Sequence, residues 1–452
     1  MPGNLVDTIW AKHVVKSGSD GDVIFIDLSL LHEVNTARAF EMLEESDVPI
    51  LCPSRHLAME DHNTPTKLDS SVEPAGVNQR LQLQMNCGKH QIPIKELGDR
   101  EQGIVHVAAP ELGRVYPNQV VVCCDSHTST MGAFGALAFG IGTSQVAEVL
   151  ASQSLILKKP KTLGIRLEGS LPRGTYAKDV ALCLISRYGT KFGQGYAIEF
   201  LGDSLKGFQM DARCTLCNMS IEAGSKSAII ASDDITMRWL AEHGVSSEKV
   251  VAQNASVEFD REIDFDIGDL EPQVTWGTDP SQTIGIGELV PLSPSESTSK
   301  YYRALHYMDV RPGETLSGLK ITHAFLGSCT NARFDDLEVA AEILEGRRVH
   351  PEVHFLVVPG SMRVWREAEE AGILEILRNA GADVRNLAGC SMCCGLNDDS
   401  PPPGARVISA SNRNFEGRQG KGVRTHLASP ATVAASSICG EIADPRRFLG
   451  GI

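Results

Sequence analysis

The strongest constraint in this chain is a pair of cysteines set between glycines, with a third cysteine upstream. Cys390 and Cys393 lie in Gly389-Cys390-Ser391-Met392-Cys393-Cys394-Gly395, and Cys329 lies in Gly327-Ser328-Cys329-Thr330-Asn331. Flanking glycines let a backbone wrap closely around a metal. Cys329 follows the apolar run Ile321 to Leu326 and precedes Leu337, Ala340, Ala341 and Leu344. That pattern predicts strand, tight turn, helix. Cys329 is then expected near a helix N-terminus, where unpaired N–H groups and the helix dipole favour a thiolate. Two thiols on one loop and one on another suit an iron–sulfur cluster held at three corners. Its fourth iron would stay open, as a Lewis acid requires and an electron carrier does not. Spacing alone leaves a zinc site, a redox dithiol and ordinary buried thiols open. Cys394 is read as a packing thiol, because adjacent side chains usually diverge.

At 452 residues the chain is too long for one ordinary core, and its apolar fraction of 42% suits a globular protein. A formal net charge of −15 argues against a nucleic-acid partner and against an anionic membrane surface. It leaves room for a small anionic substrate, since a few arginines set the sign within one cleft. Twelve cysteines in a chain of this length point to a reducing compartment rather than a disulfide scaffold. No basic segment followed by an apolar one opens the chain, and the glycine-rich run 132–142 is too short to span a bilayer. The expectation is a soluble cytoplasmic protein.

Along the chain, Val23 to Ile26 reads as a strand and Ala37 to Leu43 as a helix. A second strand, Val48 to Leu51, is expected to lead into Asp61-His62. Val120 to Val122 runs into Cys123-Cys124-Asp125-Ser126-His127. Strands that feed polar loops at their C-terminal ends are the site geometry of parallel α/β sheets. The run 132–142 is expected to pack backbone on backbone and lacks a dinucleotide fingerprint. Lys158 to Gly174 reads as a boundary and 291–300 as a linker. Cys214 and Cys217 form another C-x-x-C, but no second ligand pair sits at zinc-site spacing, so both are read as packing residues. Strands at 228–230, 321–326, 353–358 and 406–409 are expected, with helices at 333–345 and 362–379. No repeat of 20–50 residues is visible. The resulting division is three α/β domains, 1–160, 161–288 and 289–452.

Several words in this sequence, in this order, resemble the aconitase superfamily. They are L-H-E-V at 31–34, E-D-H-N-T-P-T at 60–66, D-S-H-T at 125–128 and C-N-M-S-I-E-A-G at 217–224. G-S-C-T-N at 327–331, G-C-S-M-C at 389–393, S-N-R-N-F-E-G-R-Q-G at 411–420 and T-H-L-A-S-P at 425–430 follow. The likeness runs nearly the whole length and is greatest to the large subunit of its two-subunit dehydratases. The resemblance implies three α/β domains around a central iron–sulfur cleft, without the swivelling fourth domain of single-chain members. It implies one [4Fe-4S] cluster per subunit on Cys329, Cys390 and Cys393, with Asn218 and Asn412 as amides beside it. Cys394 and Gly395 depart from the usual word after C-S-M-C.

Moving a hydroxyl between adjacent carbons requires a leaving hydroxide, a weakly acidic C–H and neutralised carboxylate charge. By resemblance, Asp61-His62 protonates the departing hydroxyl, supported by His106 and Asp125, and Glu222 pairs with His127. A carboxylate beside an imidazole raises its pKa, which suits an acid near neutrality. Arg413 and Arg418 are expected to bind substrate carboxylates, as a planar guanidinium does and an ammonium does not. Ser126 and His32 are expected on the substrate side as well. The family's serine base and a further arginine belong to the swivelling domain, so a small subunit supplying it is the expected partner. The substrate expected is 2-/3-isopropylmalate in leucine biosynthesis, with homoaconitate, citramalate or dimethylmalate as alternatives. Outside the class, an electron-transfer or iron-sensing protein and a structural zinc protein remain open.

Overall fold

The computed structural model describes residues 3–68, 73–254, 258–293 and 298–450. The chain forms two compact units, each discontinuous in sequence. One comprises Met1–Thr64, Val72–Gly169 and Gly193–Asp266; the other comprises Pro65–Ser71, Ser170–Phe192 and Ile267–Ile452.

The first unit contains a five-stranded parallel sheet in the spatial order Ile94–Lys95, His56–Met59, Leu28–His32, Val120–Cys123, Leu137–Gly140. Leu28–His32 and Val120–Cys123 are buried throughout, as strands covered on both faces must be. The chain runs outward in one direction from the central strand, then returns to build the other side. That reversal creates a switch point between Leu28–His32 and Val120–Cys123, the usual place for a ligand site. A four-stranded parallel sheet follows, in the order Ser227–Ile230, Tyr196–Leu201, Lys161–Glu168, Arg261–Asp266. Gly132 lies where an added Cβ would stand 1.7 Å from the carbonyl oxygen of Ala228. The glycine-rich run therefore packs backbone on backbone, as expected. A small antiparallel sheet of Val14–Gly18, Gly21–Phe25 and Ser154–Leu157 completes this unit's strands among the described residues.

The second unit repeats the five-stranded order with Asp383–Val384, His354–Val357, His323–Leu326, Arg406–Ser409 and Arg424–Leu427, all parallel. Its switch point lies between His323–Leu326 and Arg406–Ser409. The segments leaving those two strands are Gly327-Ser328-Cys329 and Ala410-Ser411-Asn412. Met392, from the centre of the cysteine word, is buried in the core of this sheet with Phe325, Leu356, Val407 and Val423. Burying a methionine is worth about 1.5–3 kcal/mol, enough to seat the loop that carries Cys390 and Cys393.

Local expectations differ from the structure in five places. Lys158 to Gly174, read as a boundary, holds the strand Lys161–Glu168, which lies in the interior of the four-stranded sheet. The residues 48–51 are not a strand; the strand before Asp61-His62 is His56–Met59. The helix expected over 362–379 is two, Met362–Glu370 and Ile373–Ala380, interrupted at Gly372 with φ +76°. A left-handed residue cannot continue a right-handed helix. The expected linker 291–300 includes residues 294–297, which lie outside the described residues, and a helix occupies Thr298–Met308. Cys329 sits in a turn closed by the Gly327–Asn331 bridge, while the next helix begins only at Phe334. A helix dipole acts within its first turn, so it does not set this thiol's charge.

Candidate functional site

Each switch point carries one group of the expected residues. In the first unit, strand ends place His32, the Asp61-His62 loop and Asp125 side by side. Asp61 Oδ1 accepts from His62 Nδ1 at 2.5 Å, and its other oxygen accepts from the Val105 backbone N–H at 2.8 Å. Asp125 gathers three histidine groups: His106 Nε2 at 2.8 Å, the His127 backbone N–H at 2.7 Å and His62 Nε2 at 3.5 Å. His127 Nε2 lies 3.0 Å from Glu222 Oε1. The rings of His32 and His62 stack with centroids 4.3 Å apart. Ser126 Oγ lies 3.4 Å from His127 Nδ1.

Charge in this group follows from burial set against pairing. Burial pushes the His62 imidazole down, but Asp61 and then Asp125 outweigh it and raise its pKa well above the ordinary value. Burial likewise pushes Asp125 up, and hydrogen bonds from His106, His127 and His62 hold it well below the carboxylate range. Asp61 is lowered, with His62 outweighing burial. His32 is raised to about 9, because the Cys124 thiol beside it opposes the downward push of burial. An imidazolium at His62, with Nδ1 on Asp61 and Nε2 turned to Asp125, is a proton donor that persists through neutral pH.

Glu33 was missed from sequence. Its buried carboxylate accepts from the backbone N–H groups of Asp61 at 3.1 Å, His62 at 2.8 Å and Asn63. It thereby fixes the loop that aims the His62 ring. Asn218 is fully buried, and its Nδ2 donates to Thr130 Oγ1 at 2.9 Å, whose hydroxyl donates to the His127 carbonyl. The structure thus joins Asn218 to the histidine group of its own unit.

In the second unit, Cys329, Cys390 and Cys393 are buried and free of disulfides. Asn412 Nδ2 donates to Cys329 Sγ at 3.4 Å, and its Oδ1 lies 3.7 Å from Cys393 Sγ. One amide therefore touches a sulfur on each of the two loops. Arg418 Nη2 donates to Cys393 Sγ at 3.5 Å. Hydrogen bonds from Cys390 and Cys394, with the Arg418 contact, outweigh burial and hold the Cys393 thiol well below its ordinary value. Arg418 Nε is buried with no partner among the described residues, a guanidinium edge left for another acceptor. Arg413 is half-buried beside Asn412.

Cys394 does not diverge from its neighbours as expected. Ser391–Cys394 is a single helical turn, which brings positions three and four apart onto one face. The Cys394 thiol consequently lies within hydrogen-bonding reach of both Cys390 and Cys393, and it is less buried than either. The loop is fastened by Asp399, missed from sequence: its carboxylate accepts from Ser391 Oγ, from Thr66 Oγ1 at 2.9 Å and from Arg385 Nη2 at 3.0 Å.

Soft sulfur donors on two loops, an amide donor on one sulfur and a guanidinium on another fit an iron–sulfur cluster. A zinc site would need Cys394 as its fourth ligand, and iron and sulfide analysis separates the two. Cys214 and Cys217 are buried in a helix of the other unit, as expected of packing residues.

Sequence comparison agrees with this geometry. The model of the aconitase family (aconitate hydratase) matches residues 7–440. The chain belongs to the aconitase family. It is 44% identical over its whole length to the 3-isopropylmalate dehydratase large subunit of Roseiflexus castenholzii, covering 100% of that protein. It is also 44% identical to the 3-isopropylmalate dehydratase large subunit of Bacillus cereus, over 99% of this chain and 98% of that one. Among solved structures, holo aconitase X of Thermococcus kodakaraensis is similar with a TM-score of 0.46 at 9% identity, covering 87% of this chain and 84% of that one. The chain is an enzyme of the hydro-lyase type. No described helix is long and apolar enough to cross a membrane.

Proposed function

We propose that this chain is the large subunit of a hydro-lyase that interconverts 2-isopropylmalate and 3-isopropylmalate by dehydration and rehydration, in cytoplasmic leucine biosynthesis. The observation that carries the reading is the Asn412 amide lying on the sulfurs of both Cys329 and Cys393, with Arg418 on Cys393 and its Nε unpaired. A carboxylate-binding guanidinium thus sits directly on the donor set. The relatives named above share the whole length of the chain, which supports the same chemistry.

Cys329, Cys390 and Cys393 would hold one [4Fe-4S] cluster. When bound, such a cluster with one iron free of protein ligands supplies a Lewis acid for the substrate's hydroxyl and carboxylate. The remaining work falls to side chains. His62 keeps one proton on Nδ1 against Asp61 and delivers the other from Nε2 to the departing hydroxyl. Asp125, fixed by His106 and the His127 N–H, holds that ring in line. His127 and Glu222 position the hydroxyl or water, Ser126 and His32 contact the substrate, and Arg418 and Arg413 neutralise its carboxylates. Asn218 and Asn412 serve as the amides beside the cluster. The reading assigns three α/β domains, 1–160, 161–288 and 289–452, one to each parallel sheet. A small-subunit partner would supply the base that removes the C–H proton.

Arg418→Lys keeps the charge and loses the fork. It should lower kcat/KM by about 2–4 kcal/mol of transition-state stabilisation, read from steady-state kinetics at saturating partner. The substrate is tested by a panel of isopropylmalate, homoaconitate, citramalate and dimethylmalate with the reconstituted subunits. Isopropylmalate should give the highest kcat/KM; a higher value for one of the others replaces the substrate while keeping the class.

A further inference from the structure

Lys178 is fully buried, in the first turn of the helix Ala177–Tyr188. Its Nζ donates to the carbonyl of Ala410 at 2.7 Å, the carbonyl of Ser411 at 2.6 Å and Asn331 Oδ1 at 3.2 Å. Three acceptors match the three N–H bonds of an ammonium, and burying that charge is costly unless its donors are met. Those acceptors belong to the two segments that leave the central strands at the second unit's switch point. One segment carries Cys329, two residues before Asn331; the other carries Asn412, directly after Ser411. Asn331 is held from its far side as well, its Nδ2 donating to Asp336 Oδ1 at 2.9 Å. Burial lowers Lys178 to about 7, a fall that Asp336 and then Cys393 and Cys329 only partly oppose.

We propose that Lys178 is a positioning residue for the cluster, its ammonium tying the Cys329 segment to the Asn412 segment and placing a positive charge beside the cysteine sulfurs. The proposal rests on the reading of Cys329, Cys390 and Cys393 as cluster ligands. Two consequences follow from elementary electrostatics. The tie keeps the Asn412 amide on Cys329 and Cys393, and losing partners just outside a metal's ligands weakens metal retention about 10–100-fold. The charge favours the more negative, reduced cluster, so removing it lowers the reduction potential.

The test compares wild type, Lys178→Gln and Lys178→Met after anaerobic reconstitution with iron and sulfide. Ferrozine then reports the rate of iron release, and EPR-monitored titration reports the midpoint potential. Iron release should be about tenfold faster in both variants. A tenfold loss of preference for the reduced cluster lowers a one-electron potential by about 59 mV. A purely structural lysine would change apo-chain melting and leave the potential alone. Wild type that takes up no iron or sulfide overturns the cluster reading and this proposal with it. Wild type that loads, with variants matching it in potential and release, overturns this proposal alone. If neither Lys178 variant folds, Asn331→Ala decides, since it keeps the charge and removes one acceptor. Faster release at an unchanged potential upholds the tie, and unchanged release overturns it.

Discussion

Anaerobically reconstituted Cys329→Ser, Cys390→Ser and Cys393→Ser chains will each hold iron and sulfide only at background and will show no turnover. Wild type will hold about four of each. Each replacement removes one of three corners, and nothing in the donor set offers a spare for Cys329, which stands alone on its loop. Cys394 makes this more than a formality. Its thiol lies beside Cys390 and Cys393, so geometry alone permits it to take over a corner. The reading of an open fourth iron requires that it does not. Cys394→Ala and Cys214→Ala should therefore retain the cluster. Iron and sulfide analysis, with far-UV circular dichroism as the folding control, separates the outcomes. A cluster lost on removing Cys394 but kept without Cys329 would sink the assignment.

His62→Ala should lower kcat by about 10²–10⁴-fold with a much smaller change in KM, the signature of a lost proton donor rather than a lost contact. The pH profile makes the test specific. The imidazole is raised well above its ordinary 6.5, so wild-type kcat should hold through neutral pH and fall only as pH rises through that raised value. Asp61→Asn removes the first of the opposing charges and should bring the alkaline limb down toward 6.5. The same linkage acts on stability. The His62 pairing stabilises the fold below about 6.5 and is lost as pH rises through the raised value. Asp61 and Asp125, held low, contribute above the ordinary carboxylate value of 3.8 and lose that contribution as pH falls through their folded values. A His62→Ala enzyme with near-normal kcat, or an Asp61→Asn profile unchanged from wild type, would mean that another group donates the proton.

What the sequence made legible follows the range of the forces involved. Val120–Cys123 is a continuous apolar run and Arg406–Ser409 has an apolar centre in Val407-Ile408, and the words after them carry side chains with distinctive chemistry. Asp61, His62, Asp125, Cys329 and Asn412 could be named from those words. Glu33 and Lys178 could not. Glu33 acts on backbone N–H groups, which leave no trace in residue type. Lys178 reaches Ser411 across 233 positions, and no local pattern distinguishes it from a surface lysine. Asp399 is hidden for the same reason. The Arg424–Leu427 strand went unread because half-buried Arg424 and buried Thr425 and His426 are polar, and burial is made possible by partners such as the Thr275 carbonyl on His426. Both five-stranded sheets share one strand order although no sequence repeat is visible. Topology is set by which runs are apolar and where the chain turns, and many sequences meet that condition.

The central claim is that this chain carries the cluster and the acid, while a partner carries the base. Its most direct test mixes the anaerobically loaded chain with increasing amounts of the small-subunit protein from the same organism. Conversion of isopropylmalate is followed by the ultraviolet absorbance of its unsaturated intermediate. The prediction is little or no turnover by the loaded chain alone, because a positioned base contributes about 10²–10⁴-fold, and a rate that rises and saturates with added partner. Full turnover by the isolated chain would contradict it, as would a loaded chain that stays inactive at saturating partner.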